Sequence, residues 1–326
     1  MLANVGIYCQ MPGGIRCRTP AQTTAGPTPA LRLAGYCPRY IGVTMAAGIE
    51  AYPWFLNKPL EVKVGGQAVT TRITVHEWVD HWKPLLEHIW HLHQAHPQRL
   101  MVAIGGPPGS GKSVLAEQIS WMASKNFLPD CTAIALPMDG FHYPNEYLRT
   151  HLHHLPDGDL VPLAELKGAP ETFDVGELKQ HLHLLRARAE EVFWPGYSRV
   201  EHEPIPHEYR IPAAVNLVIV EGNYLLLDHG VYAGIAGLFD FKIYLETPAA
   251  GIISNLVQRH MAGGKTLEDA KAWLKRIDLP NARIVESTRH NADLTIERNT
   301  VDDIIALHWR HHAPAATEPR RRENAE

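Results

Sequence analysis

The sequence predicts an α/β fold in three layers, with a parallel central sheet between two sets of helices. Three observations carry that expectation. From about residue 98 onward, short β-rich runs alternate with helical stretches, the order that builds a parallel sheet covered by helices. Runs such as Leu217-Val-Ile-Val220 are apolar throughout, as a strand must be when both its faces are covered. A glycine-rich segment, Gly106 to Ser113, sits directly between one such run and a helical pattern. At 326 residues the chain is long for one domain of roughly 100–200 residues and short for two, so one large domain with extensions is expected.

Residues 1–44 stand apart. They hold Cys9, Cys17 and Cys37, prolines at 12, 20, 27, 29 and 38, and four arginines, and no acid precedes Glu50. This composition predicts a disordered extension, or a chain that truly starts at Met45. The prolines spoil the amphipathic helix that a transit peptide would need, and no basic region leads into an apolar stretch as in a secretory signal. Residues 45–97 predict a hairpin and a helix packed on the main domain. Leu60 to Thr74 alternates around a Gly65-Gly66 turn, and Val75 to about His96 carries Trp78, Trp82, Leu85, Leu86, Ile89, Trp90 and Leu92 at helical spacings. His88, His91, His93 and His96 on that helix lack interleaved Cys or acidic ligands and read as core or solvated residues without a function.

Residues 98–312 form the main domain. Its expected strands are Leu100–Gly105, Ala133–Met138, Leu217–Val220, Phe239–Leu245 and Ala292–Ile296, and its first helix is Val114–Phe127. Asp174 with Glu177 reads as a cap opening a helix over Val175–Ala189. Residues 313–326, rich in Pro, Ala and charge, predict a flexible solvated tail.

Composition narrows the function classes. Hydrophobic residues make up 45% and charged residues 20%, an ordinary globular balance. Lys plus Arg number 31 against 35 Asp plus Glu, so no global basic field exists to hold nucleic acid. The four cysteines form no CxxC pair or disulfide framework, which points to a reducing, cytoplasmic location. No apolar run approaches the roughly 18 residues of a membrane span, so no membrane association is expected. A homodimer is carried as one option for assembly.

Gly106-Pro-Pro-Gly-Ser-Gly-Lys-Ser113 satisfies GxxxxGK[ST] in the strand–loop–helix context that this motif demands. Glycines let backbone N–H groups turn inward around phosphate oxygens, and the helix N-terminus adds positive potential. Lys112 then bridges the outer phosphates and Ser113 ligates magnesium. The nucleotide contacts read from the loop are Gly106, Gly109, Ser110, Gly111, Lys112, Ser113 and Val114. Acids at strand ends must decide the chemistry beyond phosphate binding. Glu221 ends Leu217-Val-Ile-Val220 and precedes Gly222, the place where a carboxylate would hold magnesium through water. Asp139 ends Ala133-Ile-Ala-Leu-Pro-Met138, and the carboxyl ends of parallel strands gather at the ligand crevice.

The series Gly106 to Ser113, Met138-Asp-Gly-Phe-His-Tyr-Pro-Asn145, Gly168-Ala-Pro-Glu-Thr-Phe-Asp174, Pro195-Gly-Tyr-Ser198 and Val220-Glu-Gly-Asn-Tyr-Leu225 resembles the phosphoribulokinase, uridine kinase and type I pantothenate kinase superfamily. It is most similar to the pantothenate-kinase-like branch, which includes sugar-transport-associated kinases. The resemblance covers about residues 98–298. It implies a P-loop NTPase fold with a helical lid, ATP and Mg2+ as cofactors, and a small-molecule acceptor. It makes Asp139 the acid that receives or orients the acceptor hydroxyl, with Lys112 and the lid arginine Arg259 as the other catalytic residues. Ser113 and Glu221 are then the metal ligands. Lys265, Arg276 and Arg283 are weaker candidates from the lid region. Tyr197 matches an aromatic at the acceptor site, and His202 has the spacing from it seen in uridine kinases. Arg199 stands where pantothenate kinases carry a histidine and would suit an anionic acceptor through bidentate contact.

The expected function is therefore an ATP-dependent kinase acting on a hydroxyl of a sugar, nucleoside or pantothenate-like acid. A uridine- or cytidine-type kinase and a regulatory P-loop ATPase without an acceptor are the alternatives. No Asn-Lys-x-Asp guanine signature occurs.

Overall fold

The structure, a computed structural model, describes residues 53–96, 98–155, 157–187, 191–299 and 303–310. The extension 1–44 and the tail 313–326 lie outside the described residues.

Strands β1 (Pro59–Val64) and β2 (Gln67–Arg72) pair antiparallel, with Val64 opposite Gln67. Gly65 and Gly66 between them have φ of +54° and +79°. A two-residue turn that follows strand twist needs both central residues left-handed, and glycine takes that conformation without strain. Helix α1 (residues 75–95) opens on a capping box: the Thr74 hydroxyl accepts Glu77 N–H at 3.1 Å, and Glu77 Oε2 accepts Thr74 N–H at 3.0 Å. It widens into a π turn at Trp78–Trp82 that the apolar spacing does not announce. His88 on this helix packs against Phe241 and Trp309, with ring centres 4.8 and 4.6 Å away. Burial, helped by His91, lowers its pKa to about 4.

The chain continues through β3 (Leu100–Gly105), α2 (Lys112–Ser124), β4 (Ala133–Pro137) and α3 (Asn145–Thr150). β5 (Leu152–His154) and β6 (Leu160–Pro162) form a small antiparallel pair before α4 (Val175–Arg186). β7 (Glu191–Ser198) and β8 (Glu203–Pro212) make a longer antiparallel ribbon. β9 (Leu217–Glu221), β10 (Phe241–Glu246), α5 (Ala249–Ala262), α6 (residues 267–286), β11 (Leu294–Arg298) and β12 (Ile304–Trp309) complete it. The central sheet runs β12-β11-β10-β3-β9-β4, parallel throughout except for the antiparallel edge pair β11–β12.

Side chains alternate across this sheet and define the three layers. Leu100, Val102 and Ile104 of β3 point into a core shared with α1, α2 and the β1–β2 hairpin. Met101 and Ala103 face the opposite core, which holds Leu178, Leu182 and Leu185 of α4 and Trp194 of β7. In β9 all five residues are buried, each large aliphatic contributing roughly 1.5–3 kcal/mol. Asp174 caps α4 by accepting Glu177 N–H at 2.8 Å, and the helix ends at Arg186, short of the expected Ala189, which lies outside the described residues. Among the described residues, no helix is long and apolar enough to cross a membrane.

Candidate active site

The glycine-rich loop joins β3 to α2, at the carboxyl edge of the sheet. A Cβ on Gly106 would lie 2.7 Å from the Leu245 carbonyl oxygen, so only glycine lets the loop pass β10 this closely. Thr247 Oγ1 donates to Ser110 O at 3.1 Å, and Asn255 Nδ2 of α5 donates to Gly109 O at 3.1 Å, tying the loop to the segment after β10. Gly111 is the N-cap of α2 and supplies no side-chain oxygen, so the first-turn amides face the loop uncapped. Ser110 is fully buried and its Oγ has no partner among the described residues. Uncapped amides, a helix dipole and an orphan hydroxyl around one concavity fit a phosphate group. Val114 differs from the other loop residues: its side chain is buried in the core beneath the loop.

Lys112 Nζ donates to Asn223 Oδ1 at 2.8 Å and to Pro107 O at 2.9 Å. Burial pushes its pKa down to about 8, with Arg259 and Arg199 adding to the shift and Glu221 and Asp139 opposing it. Ser113 Oγ donates to Glu221 Oε1 at 2.7 Å. Burial and the nearby Asp139 raise the Glu221 pKa, while Lys112 and the Ser113 hydrogen bond act the other way. A hydroxyl and a carboxylate held together, both oxygen donors, suit magnesium, which keeps several waters and shares phosphate oxygens.

Asp139 lies in the short turn Met138–Phe141 that follows β4. Pro137 is paired with Glu221 across the β4–β9 ladder, so the two acids leave neighbouring strands at the same sheet edge. Gly140 packs so tightly that a Cβ there would sit 2.1 Å from the Pro195 carbonyl oxygen. Trp194 Nε1 donates to Pro137 O at 2.8 Å, so the β7–β8 ribbon is clamped onto this turn. One cleft is consequently lined by Ser113, Glu221, Asp139, Tyr197 and Arg199, together with Glu117, Tyr209, Val64 and Gly65. His142 Nδ1 lies 2.8 Å from Asp139 O, and its ring fills the space between Phe173 and Tyr197, 3.8 and 5.1 Å from each. Lys167 Nζ stands 5.6 Å over the Tyr197 ring and donates to His202 O and Asn145 Oδ1.

Two further expected residues fall elsewhere. His202 does not line the cleft; it is exposed, and its ring faces the end of α5, where a Cβ on Gly263 would lie 3.7 Å from its Cε1. Arg259 occupies the last turn of α5, exposed, and its charge is felt at both Lys112 and Tyr197. The helix pair α5–α6 is held by His260 Nε2 and Asp278 Oδ2 at 2.7 Å and by a small core of Ile252, Leu256 and Leu274. Lys265 and Arg276 both lie over the Trp273 ring, and Arg283 is exposed on α6. None of the three lines the cleft.

A profile of the phosphoribulokinase / uridine kinase family matches residues 101–305. The chain belongs to this family. YggC, an uncharacterized protein of Escherichia coli, is 36% identical over 240 residues, covering 73% of this chain and 94% of that one. A pantothenate kinase of Agrobacterium fabrum is 27% identical over 237 residues, covering 64% of this chain and 70% of its own length. The crystal structure of a "putative fructose transport system kinase" from Silicibacter sp. TM1040 aligns with a TM-score of 0.55 at 33% identity, covering 64% of this chain and 98% of that one. The protein is thus a P-loop kinase of the phosphoribulokinase / uridine kinase type.

The sequence did not single out Asn223, Glu117, Tyr209, Val64 or Gly65 as contributors to the site. Asn223 follows the Glu221-Gly222 pair, and its amide oxygen is the partner of Lys112. Glu117 lies one helical turn after Ser113, a spacing of four that would have placed it on the same face. Val64 and Gly65 reach the cleft from a distant hairpin, and nothing local in the sequence signals that.

Proposed function

We propose that the protein transfers the γ-phosphoryl group of ATP to a hydroxyl of a small metabolite, with an acceptor carrying a carboxylate or phosphate favoured by Arg199. The observation that carries this reading is the sharing of one cleft by Asp139 and Arg199 with the Ser113–Glu221 pair. An acid placed beside a phosphate site but not bonded to its lysine suits a second substrate better than hydrolysis alone.

In this reading the loop amides and Lys112 orient the phosphates, and Asp139 accepts the proton of the attacking hydroxyl late in the transfer. Ser113 and Glu221 would hold magnesium, and the ion when bound would supply neutralisation of phosphate charge. Arg259 adds positive charge from the helix pair, and Arg199 engages the acceptor's anion in the cleft. Tyr197 flanks the acceptor, kept protonated because burial and the nearby Asp139 raise its pKa. One relative is named for pantothenate, an acid, and one structural neighbour for a fructose transport system, which makes the acceptor's charge the quantity to test.

The test is ADP release with ATP and Mg2+ across sugars, nucleosides, glycerate and pantothenate, with Lys112→Ala and Asp139→Asn as controls. Strong stimulation by one acceptor, lost in both variants, supports the reading. Slow release that ignores every acceptor and survives Asp139→Asn favours a regulatory ATPase instead.

A further inference from the structure

We propose that the tip of the β1–β2 hairpin belongs to the acceptor site, with Gly65 holding the Arg199 guanidinium toward an anionic group in the cleft. This rests on the kinase reading above and extends it to a segment that precedes the family-matched region, which begins at residue 101. A Cβ on Gly65 would lie 3.3 Å from Arg199 Nε and 3.6 Å from its Cδ, so the bare glycine backbone is the surface against which the guanidinium rests. Val64 and Gly65 line the same cleft as Asp139 and Ser113. The hairpin is fixed there: Leu60, Val62 and Val64 are buried in the core, and Gln118 Nε2 of α2 donates to Thr71 Oγ1 of β2 at 3.0 Å. Among the described residues, no carboxylate forms an ion pair with Arg199, and a guanidinium held against a rigid turn keeps its donors for a ligand. The ligand class is a small hydroxy acid or phosphate ester. The family-matched segment then supplies the transfer chemistry, and the hairpin completes the wall that selects for charge.

Gly66 provides the control. It shares the turn and a positive φ, but a Cβ there meets nothing within 4 Å. Asparagine tolerates left-handed backbone, so Gly65→Asn and Gly66→Asn impose similar backbone demands while only the first reaches Arg199. The full chain is treated with phenylglyoxal, and modification at Arg199 is followed by peptide mass, with glycerate or glycerol as protectant. Glycerate is expected to protect Arg199 in the wild type and in Gly66→Asn and to need roughly five- to tenfold more in Gly65→Asn, the effect of one weakened charge-assisted contact. Glycerol protects in none. Gly65→Ala, a milder change, shows the same order with a smaller shift. Equal protection in Gly65→Asn and Gly66→Asn, or no protection by glycerate in the wild type, overturns the proposal. A wild type that glycerate protects at Arg199, but that releases no ADP with any acceptor, leaves the anion site standing and overturns the kinase-acceptor reading instead.

Discussion

Asp139 and Glu221 leave neighbouring strands of one sheet edge, yet their surroundings give them different tasks. Glu221 is tied to Ser113 and close to Lys112, whereas Asp139 faces Tyr197 and Arg199 across the cleft. Asp139→Asn is therefore expected to lower kcat by roughly 10²–10⁴ while changing ATP affinity, measured by calorimetry, by less than about threefold. Lys112 starts from a pKa near 8 because its ammonium is buried. An anion on the loop favours the charged form, so ATP binding near pH 8 should take up protons. Calorimetry in two buffers of different ionisation heat reads this uptake directly, and Lys112→Ala should abolish it. Glu117 titrates in the same cleft, its pKa pushed up to about 7 by burial and by Glu221. For an acid with a raised folded-state pKa, the stabilisation is complete below the unfolded value of about 4.5 and disappears as pH rises through 7. The melting temperature of Glu117→Gln should consequently gain on the wild type between pH 4.5 and 7 and hold that gain above it.

The elements that carry the chemistry were also the ones written most plainly in the sequence. Strand, glycine loop and helix follow one another without interruption, so local pattern was enough to locate Gly106 to Ser113 and to put Asp139 and Glu221 at strand ends. The β7–β8 ribbon was not legible. Pro195, Pro204, Pro206 and Pro212 interrupt its two runs, and proline within a run argues against a strand. It survives because, among the described residues, neither strand pairs with a third, and a register shift between Trp194 and Gly196 absorbs Pro195. The reach of the β1–β2 hairpin into the cleft was equally hidden, since it depends on long-range packing against α2. Gln118→Leu tests that attachment. Losing its hydrogen bond to Thr71 should reduce stability by about 1–2 kcal/mol in denaturant titration, because the buried Thr71 hydroxyl is left without its donor.

Across the whole molecule, residues far apart in the chain meet at Glu77. Its carboxylate caps α1 through Thr74 and also accepts the Ile304 N–H of β12 at 3.0 Å, joining the first long helix to the last strand. Glu77→Ala removes a cap and strands a buried amide, for an expected loss of about 2–4 kcal/mol, whereas Glu77→Gln, which keeps an acceptor oxygen, should lose less. Thermal unfolding of the two variants side by side checks that order. Gly140, wedged beneath the Pro195 carbonyl, has a consequence in the currency of inheritance. The turn that carries the acid and the ribbon that carries the acceptor wall touch there through main chain alone. Selection acting on that contact can read only the presence or absence of a side chain at residue 140, and it is indifferent to which residue contributes the carbonyl. A library saturated at residue 140 and selected for function should return glycine alone.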